Sequence, residues 1–352
     1  MQDSMAFLRN AGRAGLIGML GTIGLVCVSL GGASAGTGAP GKSVRFEVGP
    51  SDPTVVTGLN NTNAAVGYYT DPTTNHYLGF IRASDGTITT LAAPNATNTF
   101  PETIDDYGTI AGEFQDSGGQ YHGFERAANG EFALFDPQGS SSTGVASMNN
   151  KGALAGVYED ETGSHGFVRA TDGTITSFDP PGSALTNAMS INDNGMVAGS
   201  YLTAPGHAHG FVRMANGTIT SFDAPGAEST GATCLNGKGT IAGVYLDDLG
   251  LRHGFLRAVD GSFTSFDPPE STYTYPASIN DHGTITGMYL TDSQQGFVRT
   301  GDGTITIMAL KGQGKNPNVT PVGINNAGTI AGYFDNTNND TKAKEWGFII
   351  RR

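Results

Sequence analysis

The residues of this chain that are best suited to chemistry are acidic and histidine side chains in polar stretches between apolar runs. The candidate ligand-binding residues are Asp71, His76, Asp116, Asp160, His207, Asp247, Asp248 and Asp292. Proteins often bind ligands through polar loops on a rigid frame. These residues therefore predict a binding surface for an unknown ligand, such as a glycan or a cell-envelope component. The plainer interpretation is a solvated acidic surface without a ligand.

No catalytic residue is assigned from the sequence, and Glu102 is the one candidate. Glu102 interrupts a repeating pattern, because the corresponding positions of other repeats hold Thr, Ala, Met or Val. A carboxylate pair could cleave a polysaccharide by acid–base chemistry, but such pairs have no linear signature. Beyond residue 42 the chain has no G-x-S-x-G turn, no H-E-x-x-H motif and no phosphate-cradling loop.

Four histidines recur in the phrase His-Gly-Phe, at His122, His165, His209 and His253. On the third strands of separate repeats they would lie about 15 Å apart, too far to share one Zn²⁺ ion. Each is instead predicted to hydrogen-bond the Asp of the following Phe-Asp-Pro or Phe-Asp-Ala corner, as His165 with Asp179. No metal and no cofactor is therefore predicted. The Asp-rich loops offer the oxygen ligands that Ca²⁺ prefers, but none has a calcium-loop spacing.

These residues belong to a repeat of 43 to 45 residues, and such a period indicates a solenoid, a propeller or an array. Its cleanest copies run from 165 to 182 and from 209 to 226. Each copy has four short apolar stretches, and an Asp-Gly or Asn-Gly pair separates the last two. Such pairs favour tight hairpins. Four strands at this period are typical of a propeller blade.

The sequence predicts an all-β fold, a seven-bladed β-propeller of four-stranded blades forming a single domain over residues 43–352. The blades are predicted to begin near residues 54, 98, 143, 186, 230, 273 and 318. The seventh lacks a fourth strand, and residues 43–49 resemble that strand, with Phe46 in the place of Phe178. The N-terminal strand should therefore complete blade seven and close the ring. Two-residue hairpin loops would place Phe167 directly opposite Phe178.

Residues 1–35 are predicted to be a secretory signal peptide, and residues 36–42 a linker. Arg9 and Arg13 precede an uncharged apolar stretch over 15–30, and Ala33-Ser34-Ala35 forms a small-residue cleavage site. The alternative is an uncleaved membrane anchor, and no second apolar segment of spanning length follows. The protein is thus predicted to be secreted or extracellular, with the periplasm and the cell surface as alternatives.

The composition narrows the classes of molecule that this protein is expected to bind. The chain has 32 acidic against 19 basic residues and a net charge of −13, which argues against nucleic acid and anionic membranes as partners. Cys27 lies in the predicted signal, so Cys234 has no disulfide partner. Because other repeats have Gly, Thr or Ser at its position, Cys234 is predicted to fill a small packing site. We expect a monomer.

The repeats resemble the bacterial extracellular HAF-repeat family, whose units carry an apolar-Asn-Asn/Asp-x-Gly turn followed by a His-x-Phe strand. The turn element stands at Asn60, Asp105, Asn149, Asn192, Asn236, Asn280 and Asn325. The four His-Gly-Phe phrases supply the second element, whereas Leu78, Gln295 and Trp346 replace the histidine in the other repeats. The resemblance implies a secreted, propeller-like protein and brings no established reaction or ligand.

Together these patterns predict a secreted binding or scaffold module with an acidic loop face. The competing prediction is an extracellular, polysaccharide-directed hydrolase or lyase with its site at the mouth of the propeller funnel. A third interpretation is a purely structural surface protein. Carboxylates converging around Glu102 would favour the enzyme, and a flat, regular loop face would count against it.

Overall fold

The computed structural model describes residues 42–49, 53–203, 206–310, 317–335 and 344–351. The described residues form strands and turns and contain no helix, so the all-β prediction is confirmed. None of them forms a helix long and apolar enough to cross a membrane. The predicted signal peptide and nearly all of the predicted linker lie outside the described residues.

The strands are short, mostly four to seven residues long. The first thirteen are β1 (Lys42–Phe46), β2 (Thr54–Leu59), β3 (Ala65–Thr70), β4 (Tyr77–Arg82), β5 (Ile88–Leu91), β6 (Asn98–Ile104), β7 (Ile110–Gln115), β8 (Tyr121–Arg126), β9 (Phe132–Phe135), β10 (Ser142–Met148), β11 (Leu154–Asp160), β12 (Gly163–Arg169) and β13 (Ile175–Phe178). The others are β14 (Ser183–Ile191), β15 (Val197–Thr203), β16 (Ala208–Arg213), β17 (Ile219–Phe222), β18 (Ser229–Leu235), β19 (Ile241–Leu246), β20 (Arg252–Arg257), β21 (Phe263–Phe266), β22 (Tyr273–Ile279), β23 (Ile285–Leu290), β24 (Gln294–Arg299), β25 (Ile305–Ile307), β26 (Asn318–Ile324), β27 (Ile330–Asp335) and β28 (Glu345–Arg351).

The strands pair in antiparallel runs of four. Three sheets consist of one run each, β2-β3-β4-β5, β6-β7-β8-β9 and β1-β28-β27-β26. Two sheets hold eight strands each, β10 to β17 and β18 to β25. Each eight-stranded sheet is two four-strand runs joined by a single parallel pair, Ser164 with Leu185 in one and Arg252 with Tyr273 in the other. In each run, one strand stands at the end of the four-strand order and comes before the second and third strands in the chain. We call these seven the inner strands: β2, β6, β10, β14, β18, β22 and β26.

The N-terminal strand lies beside the last strand of the chain. Strand β1 pairs antiparallel with β28, and Phe46 stands opposite Gly347. Phe178 stands opposite Gly166 in the same way. The predicted pairing of the N-terminal strand with the end of the chain is therefore present, and Phe46 occupies the repeat position assigned to it.

The predicted hairpin register is wrong by one residue. Gly166 pairs with Phe178 and Arg169 with Ile175, so Phe167 faces Ser177 and not Phe178. The turn is longer than two residues: Ala170 N donates to Thr174 O at 2.8 Å, and Gly173 N donates to Ala170 O at 2.9 Å. Gly173 has φ +86°, whereas Asp172 is not in the positive-φ region. A two-residue type I′ turn needs positive φ at both residues, and a type I turn followed by a left-handed Gly needs it at one.

In the observed register, the Phe on the last strand of a run packs against a Phe of the neighbouring run. The Phe178 ring covers Gly166, where an added Cβ would lie 2.7 Å from its Cζ. It meets Phe211 of the next run at a centroid distance of 5.8 Å. The same contact joins Phe135 to Phe167 at 6.1 Å and Phe46 to Phe80 at 5.9 Å. The aromatic pairs thus stabilise the contact between runs and not the hairpin within a run.

A belt of asparagine side chains links the turns that follow the inner strands. Each Nδ2 donates to a backbone carbonyl of the next turn, as Asn192 to Asn236 at 3.0 Å and Asn325 to Asn60 at 3.0 Å. Each Oδ1 also accepts backbone N–H groups of its own turn, as from Asn194. Asp105 occupies this position in one run, and its carboxylate has no amide hydrogen to donate.

Candidate functional site

A cavity of about 270 Å³ lies along the inner strands. Every inner strand has a β-bulge near its middle or second half, at which one residue is skipped in the pairing with the second strand of its run, and bulges re-aim side chains. Strand β14 has a second bulge near its start, at Ala184. The residues skipped at the bulge that all seven inner strands share line the cavity: Thr57, Glu102, Ala146, Met189, Thr233, Ala277 and Val322. The bulge is therefore the local feature that points one side chain of each run into the cavity.

Glu102 carries the one charged side chain among these skipped positions. A second carboxylate, that of Glu113, lies on the adjacent strand β7, where it pairs with Phe100 and also lines the cavity. Glu113 is 8% exposed, and one of its carboxylate oxygens accepts the N–H of Val145 at 3.4 Å. The two carboxylates therefore occupy one wall, contributed by a single run.

Glu113 was not predicted from the sequence. The equivalent second-strand positions hold Tyr68, Val157, Ser200, Val244, Met288 and Tyr333. Glu113 breaks this pattern as clearly as Glu102 breaks its own, so the same comparison of repeats, applied to the second strand, would have found it. The sequence does not show the pairing of β6 with β7, which places Glu102 and Glu113 on the same wall.

Aromatic side chains form the wall next to the carboxylates. Tyr68 and Phe100 line the cavity with their ring centroids 5.2 Å apart. Tyr77 joins both rings at 5.5 Å and reaches the surface beside the loop that contains His76. Tyr121, at the start of β8, adds a further ring to the cavity lining. The cavity thus extends toward the loops between second and third strands.

The predicted loop residues lie on those loops and not in the cavity lining. Four of the aspartates stabilise their own turns by accepting the N–H two residues ahead: Asp71 from Thr73, Asp116 from Gly118, Asp160 from Thr162 and Asp247 from Leu249, at 2.9, 2.8, 2.7 and 3.0 Å. Hydrogen bonds from Thr162 lower the pKa of Asp160 to about 2. These four carboxylates therefore have a structural role in shaping the loops.

The remaining loop candidates are exposed. His76, Asp248 and Asp292 lie at the surface, and His207 is exposed with its Nδ1 3.2 Å from the carbonyl oxygen of Glu228. None of these four residues lines the cavity with Glu102. The structure brings Glu102 together with Glu113 and the tyrosines, and it leaves the predicted loop residues spread around the rim.

The His–Asp hydrogen bonds predicted from the repeat are present. The Nδ1 atoms of His122, His165, His209 and His253 lie 2.7, 2.6, 2.9 and 2.6 Å from the carboxylates of Asp136, Asp179, Asp223 and Asp267. In three of these runs the Nε2 atom faces a second carboxylate on the loop, as His165 faces Asp160 at 3.2 Å and His253 faces Asp247 at 3.1 Å. Each such histidine ties a loop to the corner that follows the fourth strand.

These contacts change the protonation of the histidines. Partial burial by itself lowers the pKa of His165, but the hydrogen bonds and charges of Asp179 and Asp160 outweigh it and raise the pKa above its ordinary value. At His122 and His253, burial also lowers the pKa and the neighbouring aspartates raise it. The aspartates again outweigh burial, so both pKa values are raised. The protonated ring can donate to both carboxylates at once, which the neutral ring cannot.

Cys234 lies in the hydrophobic core on inner strand β18 and is 7% exposed. Burial raises the pKa of its thiol to about 12, so the thiolate needed for nucleophilic chemistry is not formed near neutral pH. The prediction of a packing residue agrees with this position. Among the described residues, no three His, Cys, Asp or Glu side chains are grouped closely enough to hold a metal ion.

Comparison with known proteins identifies the fold. No protein-family model matches the chain, and no curated protein sequence matches it either. A streptogramin B lyase structure is 16% identical, with a TM-score of 0.56 over 89% of this chain and 98% of that chain. A virginiamycin B lyase from Staphylococcus aureus is 13% identical, with a TM-score of 0.56 over 88% and 99% of the two chains.

A third structure is the β-propeller domain of the trilobed protease from Pyrococcus furiosus. It is 12% identical, with a TM-score of 0.60 over 83% of this chain and 97% of that domain. Likeness at such low identity shows the fold alone. The protein is a β-propeller built from four-stranded antiparallel runs, and its function has to be argued from the cavity.

Proposed function

We propose that this protein is a secreted, monomeric β-propeller of seven blades that binds a ligand in its central cavity. The observation that carries the proposal is the asymmetric wall. Among the described residues, one run alone supplies carboxylates, Glu102 and Glu113, to a cavity that the other runs line with uncharged side chains. A purely structural repeat has no reason to break its pattern twice at one spot. Ligand sites are commonly concave, mostly apolar and supplied with a few polar groups.

The seven-bladed ring is supported by contacts between the first and last runs. The Asn325 side chain donates to the carbonyl of Asn60, 265 residues away. Phe46 of the N-terminal strand packs on Phe80 of β4 and also accepts the Arg82 guanidinium over its ring at 4.9 Å. In this proposal the seven inner strands surround the cavity, and each eight-stranded sheet counts as two blades. Closure would leave only short, protected sheet edges.

Secretion remains a proposal that rests on the N-terminal sequence, as does membership of the HAF-repeat family. A cell-envelope component or a glycan would then be the partner met outside the cell. Expression of the full chain in a bacterial host, followed by fractionation and N-terminal sequencing, tests the proposal. We expect a mature protein that begins at Gly36, and a chain that retains Met1 in the membrane fraction would contradict cleavage.

The binding function is tested with a glycan array and titration of the hits into purified protein. We expect at least one ligand whose binding is weakened about tenfold or more by Ala146→Phe, because the new ring occupies the cavity from a run that carries neither carboxylate. The matched control is Ala133→Phe, which adds the same ring to an exposed position of the outer strand β9. Equal loss in both variants, or no loss with Ala146→Phe, would place the ligand elsewhere.

An extracellular hydrolase or lyase is the second candidate, and the presence of both Glu102 and Glu113 in the cavity lining favours it. Two neighbouring carboxylates can share general acid and general base roles when their environments separate their pKa values. A panel of hydrolase and lyase substrates, polysaccharides first, tests this reading. Turnover that disappears in both Glu102→Gln and Glu113→Gln, while each variant still binds the substrate, would replace the binding module by an enzyme.

A further inference from the structure

We propose that the ligand of the central cavity carries a protonated amine or a quaternary ammonium group. In the complex this cation lies between the carboxylates of Glu102 and Glu113 and the aromatic rings beside them. The inference rests on the proposed function, because it takes the cavity as the binding site, and it adds the chemical class of the ligand.

The charge of the lining is the first argument. Glu102 and Glu113 supply the carboxyl groups among the described residues that line the cavity, and no Lys, Arg or His is among those residues. Bringing an anionic group between two carboxylates in a partly buried site is unfavourable, whereas a cation is attracted more strongly there than in water. The negative charge of the lining therefore disfavours ligands with phosphate, sulfate or uronic acid groups and favours a cationic ligand.

The aromatic wall is the second argument, and it does not depend on the carboxylates. Tyr68, Phe100 and Tyr77 form a mutual cluster with centroid distances between 5.2 and 5.5 Å, and the first two line the cavity. Tyr68 pairs with Val55 on its inner strand, whereas Glu113 pairs with Phe100, so the aromatic cluster crosses from one run to the next and ends beside the acidic wall. Ammonium groups are attracted to the faces of such rings.

An organic cation fits the cavity better than a metal ion. The described residues contain no group of three metal-ligating side chains, and a hard cation such as Ca²⁺ takes six to eight oxygen ligands. Most other lining residues are apolar, including Met189, Met288 and Val322. A carbon-rich ligand with one charged nitrogen can use the acids, the rings and this apolar surface together.

The size of the cavity narrows the class further. At about 270 Å³ it lies just below the usual range of about 300–1,000 Å³ for ligand pockets. It therefore suits one small unit, such as a single amino sugar of a longer chain or a small quaternary amine. The lining includes Tyr121 at the start of β8, so the rest of a longer ligand would extend toward the loops between second and third strands.

The test uses matched ligands that differ in charge. Purified protein is titrated near pH 6 with the β-1,4-linked glucosamine disaccharide, with its N-acetylated counterpart, and with benzyltrimethylammonium. We expect at least one cationic probe to bind about tenfold more tightly than the neutral disaccharide, and to bind more weakly as sodium chloride is added. The two cationic probes distinguish an amino sugar from a small quaternary amine.

The variants separate charge from shape. Glu102→Gln and Glu113→Gln should each weaken the cationic probe about tenfold and leave any binding of the neutral disaccharide unchanged. The control Glu131→Gln, which removes the same charge from an exposed hairpin turn, should change neither. Thermal melts of each variant show whether it is folded.

The outcomes distinguish this inference from the proposed function. If a neutral glycan binds as tightly as the cationic probes and Ala146→Phe abolishes its binding, the cavity is the site but the ammonium inference is wrong. If cationic probes bind and Ala146→Phe has no effect on them, the cavity is not the site and both proposals fail. If neither cationic probe binds the unaltered protein at millimolar concentration, the ammonium inference is overturned.

Discussion

Phe178, at the end of one four-strand run, packs edge-on against Phe211 of the next run with an interplanar angle of 71°. Phe211 is fully buried, and the Arg213 guanidinium lies 5.0 Å above the Phe178 ring. This arrangement recurs from run to run, and it includes Phe46 of the N-terminal strand with Phe80. At five junctions between runs, the repeated Phe residues therefore form a contact that holds a run to its neighbour.

Replacing Phe211 by Ala should destabilise the protein strongly. The change removes a fully buried ring and leaves a cavity between two runs, which costs about 3–5 kcal/mol in comparable cases. Urea unfolding of the purified variants measures the effect. Ser177→Ala, on an exposed position beside Phe178, is the control and should cost less than about 0.5 kcal/mol. Similar costs for both variants would show that the inter-run contact contributes little.

Replacing Asp105 by Asn should stabilise the protein. The other turns at this position use an asparagine Nδ2 to donate to the next turn, and Asp105 cannot donate although it is only 5% exposed. The new hydrogen bond should contribute about 0.5–1.5 kcal/mol. The reverse change, Asn192→Asp, should destabilise by a similar amount because it removes the 3.0 Å bond to Asn236. Destabilisation by Asp105→Asn would mean that the carboxylate has another role in the turn.

The stability supplied by His165 should depend on pH. Its pKa is raised in the folded protein by Asp179 and Asp160, so its contribution is complete below the unfolded value of 6.5 and is lost as the pH rises through the folded pKa. The free energy of unfolding lost in His165→Gln should be larger near pH 5 than near pH 8. Because the pair is partly exposed, we expect about 0.2–1 kcal/mol for each ion pair.

The matched control is His209→Gln. His209 also contacts an aspartate, Asp223, but its Nε2 faces the Thr203 hydroxyl at 3.4 Å and not a second carboxylate. His209→Gln should therefore lose less free energy of unfolding near pH 5 than His165→Gln, because it breaks one carboxylate contact and not two. An equal loss would show that the contact with Asp160 contributes little.

Replacing Phe46 by Ala should weaken the packing of strands β1 and β28. The ring contacts Phe80 at 5.9 Å and lies over Gly347, so its loss opens the contact between β1, β28 and the first run. Hydrogen exchange should become faster in β1 and β28 while β15 and β16 keep their protection. Val44→Ala, at an exposed position of the same strand, serves as the control. Faster exchange throughout the chain would indicate global destabilisation and not a local loss of packing at β1 and β28.

Much of the architecture could be predicted from the repeat. The four strands of each unit, the His–Asp contacts and the strand pairing of Phe46 followed from aligning one copy with another. The register of the last hairpin did not follow, because Asp-Gly permits both a two-residue turn and a longer turn with Gly in the left-handed region. The φ of Asp172 decides between them, and nothing in the sequence specifies it.

The candidate site shows the same division. Comparison of repeats was sufficient to select Glu102, because a charged side chain replaced a small or apolar one. It was not sufficient to identify the loop aspartates as turn-forming residues. An Asp whose carboxylate accepts the N–H two residues ahead cannot be told from a ligand-binding Asp in the sequence. Their hydrogen bonds became evident only from the loop conformations.

The sequence by itself determined the all-β class, the repeating unit and the position at which the repetition fails, because each depends on local residue patterns of period two and on turn residues. Tertiary structure alone decided which faces those positions occupy. A β-bulge turns Glu102 toward the cavity, and antiparallel pairing sets Glu113 near it on the next strand. Register and bulges are set by packing between strands, so the acidic wall exists only once β6 and β7 are paired.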